Sequence, residues 1–134
     1  MKSGNTRIVE LHDSYVIKIA KNKNGFKSNY KEVVLSNSLD CFAKVMEYSP
    51  DYFYIKMERV EIPSLIKRFR LAKRIRRELK NENIFVSDVM WYNIGERKDG
   101  TPVIFDYGGA IISWSGFVNR IKRIFGVDRN DTWI

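Results

Sequence analysis

Asp88 precedes Asn93 by five residues, and Asp106-Tyr107-Gly108 lies on the far side of a tight turn. The intervening chain runs Ser87-Asp88-Val89-Met90-Trp91-Tyr92-Asn93-Ile94-Gly95, then a polar turn, then Pro102-Val103-Ile104-Phe105. Two carboxylates and an amide grouped around a hairpin can hold a cation-bound phosphate chain and take the proton from an attacking hydroxyl. Asp106 and Asn93 offer hard oxygen ligands of the kind Mg2+ prefers. Asp88 would orient the hydroxyl and accept its proton.

These residues need a scaffold, and the pattern of the chain supplies one. Thr6 to Leu11 and Tyr15 to Ala20 are β-rich and split by His12-Asp13-Ser14, which predicts a hairpin. Its second strand places Val16 on one face and Ile17 and Ile19 on the other, with Lys18 among them. A lysine facing a sheet interior needs an anion or a carboxylate. Lys21 to Gly25 reads as a polar loop and Ser28 to Ser38 as a helix through Tyr30, Val33, Val34 and Leu35, capped by Ser28 or Asn29 and carrying Glu32. Phe42 to Tyr48 and Tyr52 to Val60 read as a second strand pair turned by Ser49-Pro50-Asp51. Pro63 and Ser64 open a long helix whose apolar stripe is Leu65, Phe69, Ala72, Ile75 and Leu79. Its other faces carry eight basic residues between Lys67 and Lys80. Ile84-Phe85-Val86 is a short extended run. Tyr92 to Gly95 and Thr101 to Phe105 form a hairpin turned by Arg97-Lys98-Asp99-Gly100. Ile111 to Phe125 reads as partly helical through Phe117, Val118, Ile121, Ile124 and Phe125. Trp91 and Trp114 are assigned to packing. The expected fold class is α+β.

Composition sets the bounds. The chain has 134 residues, 44% hydrophobic, which suits one domain. A charge of +8 favours polyanions such as nucleotides, nucleic acid or acidic protein faces. Cys41 is alone, so no internal disulfide forms, and one histidine with one cysteine falls short of the ligands a His/Cys zinc site needs. No apolar run approaches the roughly 20 residues that span a bilayer, and the start leads into no signal-like core. A cytoplasmic location without membrane contact is expected.

In this order and in these elements, Lys18, Glu32, Asp88, Asn93 and Asp106-Tyr107-Gly108 resemble the protein-kinase-like family, over roughly Gly4 to Gly108. The abbreviated form is similar to small kinase-like proteins of bacteriophages and prophages, which would place it in a host cytoplasm. The resemblance implies ATP and Mg2+ as cofactors. It makes Lys18 the contact to the α- and β-phosphates, Glu32 its ion-pair partner, Asp88 the catalytic-loop Asp, and Asn93 and Asp106 the metal ligands. Glu58 and Val60, in Lys56-Met57-Glu58-Arg59-Val60, fall where the family joins two lobes and holds adenine, and Gly4 falls in the phosphate-covering loop. The fold implied is a minimal one: a small antiparallel sheet bearing one helix (1–60) and a reduced helical lobe with a catalytic hairpin (61–134), together one domain.

The chain departs from the family in three places. Gly4 is the one glycine in Gly4-Asn5-Thr6-Arg7-Ile8-Val9, and Arg7 reads as a surface charge or a reach to the phosphates. Val86-Ser87 stand where the family has His-Arg, so control through a phosphorylated activation loop is not expected. No Ala-Pro-Glu follows Gly108, so the peptide-gripping platform is expected to be reduced. The first function expected is phosphoryl transfer from ATP to a protein, to itself or to a small-molecule hydroxyl. The alternatives are a pseudokinase-like module binding a host protein, and nucleic-acid binding through the Lys67–Lys80 helix with Arg120, Lys122 and Arg123.

Overall fold

The computed structural model describes residues 2–3 and 5–113. The expectations placed on Gly4, on Trp114, on the helix running to Phe125 and on Arg120, Lys122 and Arg123 fall outside the described residues.

The sheet has five antiparallel strands: β1 (Lys2–Ser3), β2 (Arg7–Leu11), β3 (Tyr15–Ala20), β4 (Val45–Tyr48) and β5 (Tyr54–Glu58), in the order β1-β2-β3-β5-β4. The β2–β3 hairpin forms as predicted, with Arg7 opposite Ala20 and Val9 opposite Lys18. Directly paired residues share a face, so Arg7, Lys18 and Ala20 lie together on the inward side, where all three are buried. The fourth strand is shorter than expected. Phe42 leaves the sheet to form an isolated parallel bridge with Ile104.

Helix α1 spans Lys23–Leu35, starting five residues before the predicted boundary. Asn22 caps it by accepting from the Gly25 amide at 3.0 Å. The polar run around Asn22 is therefore the helix start, and the expected caps lie inside the helix. Its buried stripe is Gly25, Asn29, Glu32 and Leu35, while Tyr30 and Val34 are exposed. Gly25 lets the helix approach the sheet, since a Cβ there would collide with the Thr6 carbonyl.

Helix α2 spans Leu65–Asn81 and buries Leu71, Ala72, Ile75 and Leu79. Leu65 and Phe69, expected on the core stripe, are exposed, Phe69 at 52%. The helix meets the core from Leu71 onward. Asn83 ends the helix in the left-handed conformation, φ 58°. β6 (Phe85–Val86) then pairs with β9 (Ile112–Ser113), where partial helix was expected from Ile111. β7 (Ile94–Glu96) and β8 (Pro102–Ile104) form the predicted hairpin, with Gly100 at φ 88° in its turn. One continuous apolar cluster runs from Leu35, Ile55 and Met57 through Phe42 and Tyr107 to Ile75, Ile94 and Ile112. Among the described residues no helix is long and apolar enough to cross a membrane.

Candidate active site

Lys18 sits in the middle of β3, and an ammonium taken from water needs acceptors on each side. It has them: Nζ donates to both Glu32 oxygens at 3.0 and 3.2 Å and to the Phe105 carbonyl at 2.6 Å. Glu32 is fully buried on α1. Its carboxylate also accepts from Arg7 Nη1 at 2.6 Å and from the backbone amides of Tyr107 at 2.9 Å and Gly108 at 3.0 Å. Burial alone would raise the Glu32 pKa, but Lys18 and Arg7 bring it down to about 2. Burial lowers the Lys18 pKa, and Glu32 opposes that shift. The helix, the central strand and the Asp106 loop are thus joined through one carboxylate.

Arg7 was expected at the surface and is 7% exposed. Nη1 donates to Asn29 Oδ1 at 3.1 Å and to Glu32. Nη2 donates to Glu32 Oε2 at 3.3 Å and to Asp106 Oδ1 at 3.0 Å. Asn29, expected as a cap, instead donates to the Tyr52 and Phe53 carbonyls at 2.8 and 3.2 Å. Both residues were legible in principle: strand pairing puts Arg7 on the Lys18 face, and Asn29 is one helical turn before Glu32.

The second half of the site is fastened to the first by backbone. The Phe105 amide donates to the Asn93 carbonyl at 2.9 Å, so the two expected metal ligands are held on adjoining chain. Asn93 closes a short 3-10 turn (Trp91–Asn93) and sends Nδ2 to the Asp88 carbonyl at 3.3 Å. That turn brings the five-residue spacing into one tight loop. Arg76 of α2 braces the loop through the Val89 carbonyl at 2.6 Å. Ser87 exchanges hydrogen bonds with Ile111, its Oγ accepting at 2.8 Å and its amide donating at 2.9 Å. The Asp88 loop is thereby tied to the segment that follows Gly108. The Asp88 carboxylate is partly exposed and makes no hydrogen bond among the described residues.

Tyr107, where the resemblance implies a phenylalanine, is accommodated in the core. Its ring is fully buried and stacked on Phe42 at 4.2 Å. Its hydroxyl donates to the Ala43 carbonyl at 2.7 Å, which satisfies the one polar atom the substitution adds. Gly108 lies against α1, where a Cβ would clash with Ser28.

The expected adenine segment divides. The Glu58 carboxylate accepts from Arg97 Nε at 2.9 Å and from the Lys44 amide at 2.7 Å, so its side chain is committed to structure. Val60 packs over Gly95, and its amide donates to no protein acceptor among the described residues. Trp91, expected in the core, is partly exposed, with Phe69 at 6.1 Å and the Arg68 guanidinium over its ring at 5.3 Å.

Among the described residues no group of three or more His, Cys, Asp or Glu is placed to hold a metal. Asn93 and Asp106 are a two-residue oxygen set of the kind that Mg2+ takes together with phosphate and water oxygens. The Asp106 side chain is 53% exposed, so it can face such a partner, although Arg7 already claims Oδ1. Two surface cavities of about 400 and 320 Å3 lie elsewhere, one between the end of α2 and β6, the other beside Cys41.

No protein-family model matches the chain, and no curated protein matches it. Solved structures do. WbdD co-crystallised with the kinase inhibitor LY294002 superposes at a TM-score of 0.57, with 14% identity, over 92% of this chain and 35% of that one. The bifunctional kinase-methyltransferase WbdD matches at 0.53, again at 14% identity, over 90% and 33%. The fold is similar to part of WbdD, and this chain spans about a third of the WbdD chain.

Proposed function

We propose that this chain binds ATP with Mg2+ and transfers a phosphoryl group to a hydroxyl on a protein, on itself or on a small molecule. The observation that carries the reading is the Glu32 carboxylate. It gathers Lys18 from the sheet and the amides that follow Asp106 into one cluster. Such a cluster presets an amine and a carboxylate toward the same small volume, and positioning supplies most of the rate in phosphoryl transfer. The fold likeness to a kinase-methyltransferase is consistent with it.

In this reading the five-stranded sheet with α1 and the segment from α2 to β9 are the two sides of one cleft. Lys18 contacts the phosphates, and Glu32 keeps its amine aimed. Asn93 and Asp106 would hold the cation, which neutralises charge on the phosphate oxygens when bound. Asp88, with its carboxylate uncommitted, orients the acceptor hydroxyl and takes its proton. The Val60 amide is the donor offered to the adenine edge, and Glu58 contributes backbone only. Incubation with γ-labelled ATP and Mg2+ tests this. Wild type should transfer label, while Asp88→Ala and Asp106→Ala should lose it by at least a hundredfold, about 3 kcal/mol of transition-state stabilisation. Equal transfer by all three would end the reading.

A second reading is a binding module acting through α2. One observation favours it: Leu65, Ile66 and Phe69 are exposed beside Ile62 on a helix that also exposes Lys67, Arg70, Lys73, Arg74, Arg77 and Lys80. A host protein with an acidic, partly apolar face, or a nucleic acid, would meet that surface.

A further inference from the structure

The Lys18–Glu32 pair holds a second, unexpected cation. Arg7 reaches from β2 into the pair and beyond it to Asp106. Its four Nη–H groups have four acceptor contacts: Asn29, the two Glu32 oxygens and Asp106. Only the last is to an exposed group; the Asp106 side chain is 53% exposed and that of Arg7 8%. The cluster of Lys18, Arg7, Glu32 and Asp106 therefore sums to zero charge without any metal. Asp106 is the carboxylate assigned above to the divalent cation.

We infer that Arg7 is a resident counter-cation for Asp106 that competes with the divalent metal, so that metal uptake requires Arg7 to give up Asp106 Oδ1. The inference rests on the metal–nucleotide reading of the site. A cation ligated by that oxygen at about 2.1 Å would lie within about 5 Å of Nη2, given the 3.0 Å Arg7–Asp106 contact. A unit positive charge at that range weakens divalent binding by about tenfold even in the dielectric of water. The hydrogen bond to Oδ1 must also be surrendered. Arg7 can release it cheaply, because its other three contacts keep the guanidinium paired with Glu32 and Asn29. The arrangement keeps Asp106 pointed inward while no metal is bound, and it sets a threshold for metal entry that polyphosphate oxygens help to cross.

The test is Mn2+ titration without nucleotide, with free Mn2+ followed by electron paramagnetic resonance. Wild type, Arg7→Gln, Arg7→Lys and Asp106→Asn are compared after each is shown to be folded by circular dichroism. Arg7→Gln should bind Mn2+ about tenfold more tightly than wild type, Arg7→Lys close to wild type, and Asp106→Asn should lose binding. A residue that merely props the site up would weaken binding when removed; only loss of a competitor tightens it. If wild type binds Mn2+ and folded Arg7→Gln binds no better, the inference fails and the metal–nucleotide reading stands. If even folded Arg7→Gln binds no Mn2+ at millimolar concentration, the inference fails, and the metal–nucleotide reading is decided separately by label transfer from ATP with Mg2+. Should Arg7→Gln not fold, wild type decides alone. The 15N signals of the Arg7 guanidinium should shift, and its Nη exchange quicken, on adding Mg2+ with a non-hydrolysable ATP analogue. Signals unmoved at saturation would overturn the inference.

Discussion

Glu32 is the residue on which the cluster turns. It is buried, and it is charged only because Lys18, Arg7 and two backbone amides surround it. Its carboxyl lies at about 2, below an ordinary value of 4.5. A group depressed in this way stabilises the fold fully above the ordinary value and loses that contribution as pH falls through the folded one. The contribution is on the order of 3 kcal/mol for a shift of this size. Wild-type stability from urea denaturation should therefore fall between about pH 4.5 and 2, more steeply than that of Glu32→Gln. At pH 7 the glutamine variant should be weaker by about 3–5 kcal/mol, because it strands two buried cations. Parallel acid slopes for the two proteins would remove Glu32 from this role.

At the scale of elements, the hairpins were readable and the helix faces only in part. Asp99-Gly100 and His12-Asp13-Ser14 mark turns by local backbone chemistry, and both hairpins form. A hydrophobic reading found helix α1 but began it five residues late, because its buried stripe opens on Gly25, Asn29 and Glu32. A helix that serves a charged cluster inverts the usual pattern, and the exposed Tyr30 and Val34 suggested the opposite face. In α2 the period was right, but burial stops short of Phe69. Sequence periodicity marks a face and does not say how far along it the core extends.

Two predictions belong to these helices. Gly108→Ala would drive a methyl into Ser28 on α1. Helix and loop would separate, lengthening the amide contacts to Glu32. The expected result is a loss of about 1–3 kcal/mol in stability and at least tenfold weaker ATP binding by calorimetry. Unchanged binding in a destabilised variant would uncouple the loop from the site. For α2, if its basic face takes nucleic acid, affinity for duplex DNA should fall with salt at a log–log slope of about −0.9 per phosphate contact. Replacing Arg70, Lys73 and Arg77 by Gln should flatten that slope by about 2–3. A slope already near zero in wild type would dismiss nucleic acid as the partner of this face.

Across the whole molecule, a site assembled from distant segments makes ligand binding and global stability one measurement. Arg7, Lys18, Glu32, Asn93 and Asp106 come from four elements and a loop, yet hydrogen bonds join them in one cluster. A ligand that bridges them must stabilise everything the cluster supports. At 100 times its dissociation constant, ATP with Mg2+ should add about 2.7 kcal/mol, which for a chain of this size raises the melting temperature by about 10 °C. Mg2+ alone should do much less, because Arg7 already neutralises Asp106. ATP in EDTA should fall between the two, since Lys18 remains to meet the phosphates. That ordering separates a metal–nucleotide site from a general anion site, in which tripolyphosphate in EDTA would match ATP with Mg2+. A melting temperature that ignores every one of these ligands would leave the Glu32 cluster as a structural ion network, and the α2 surface as the place where this protein acts.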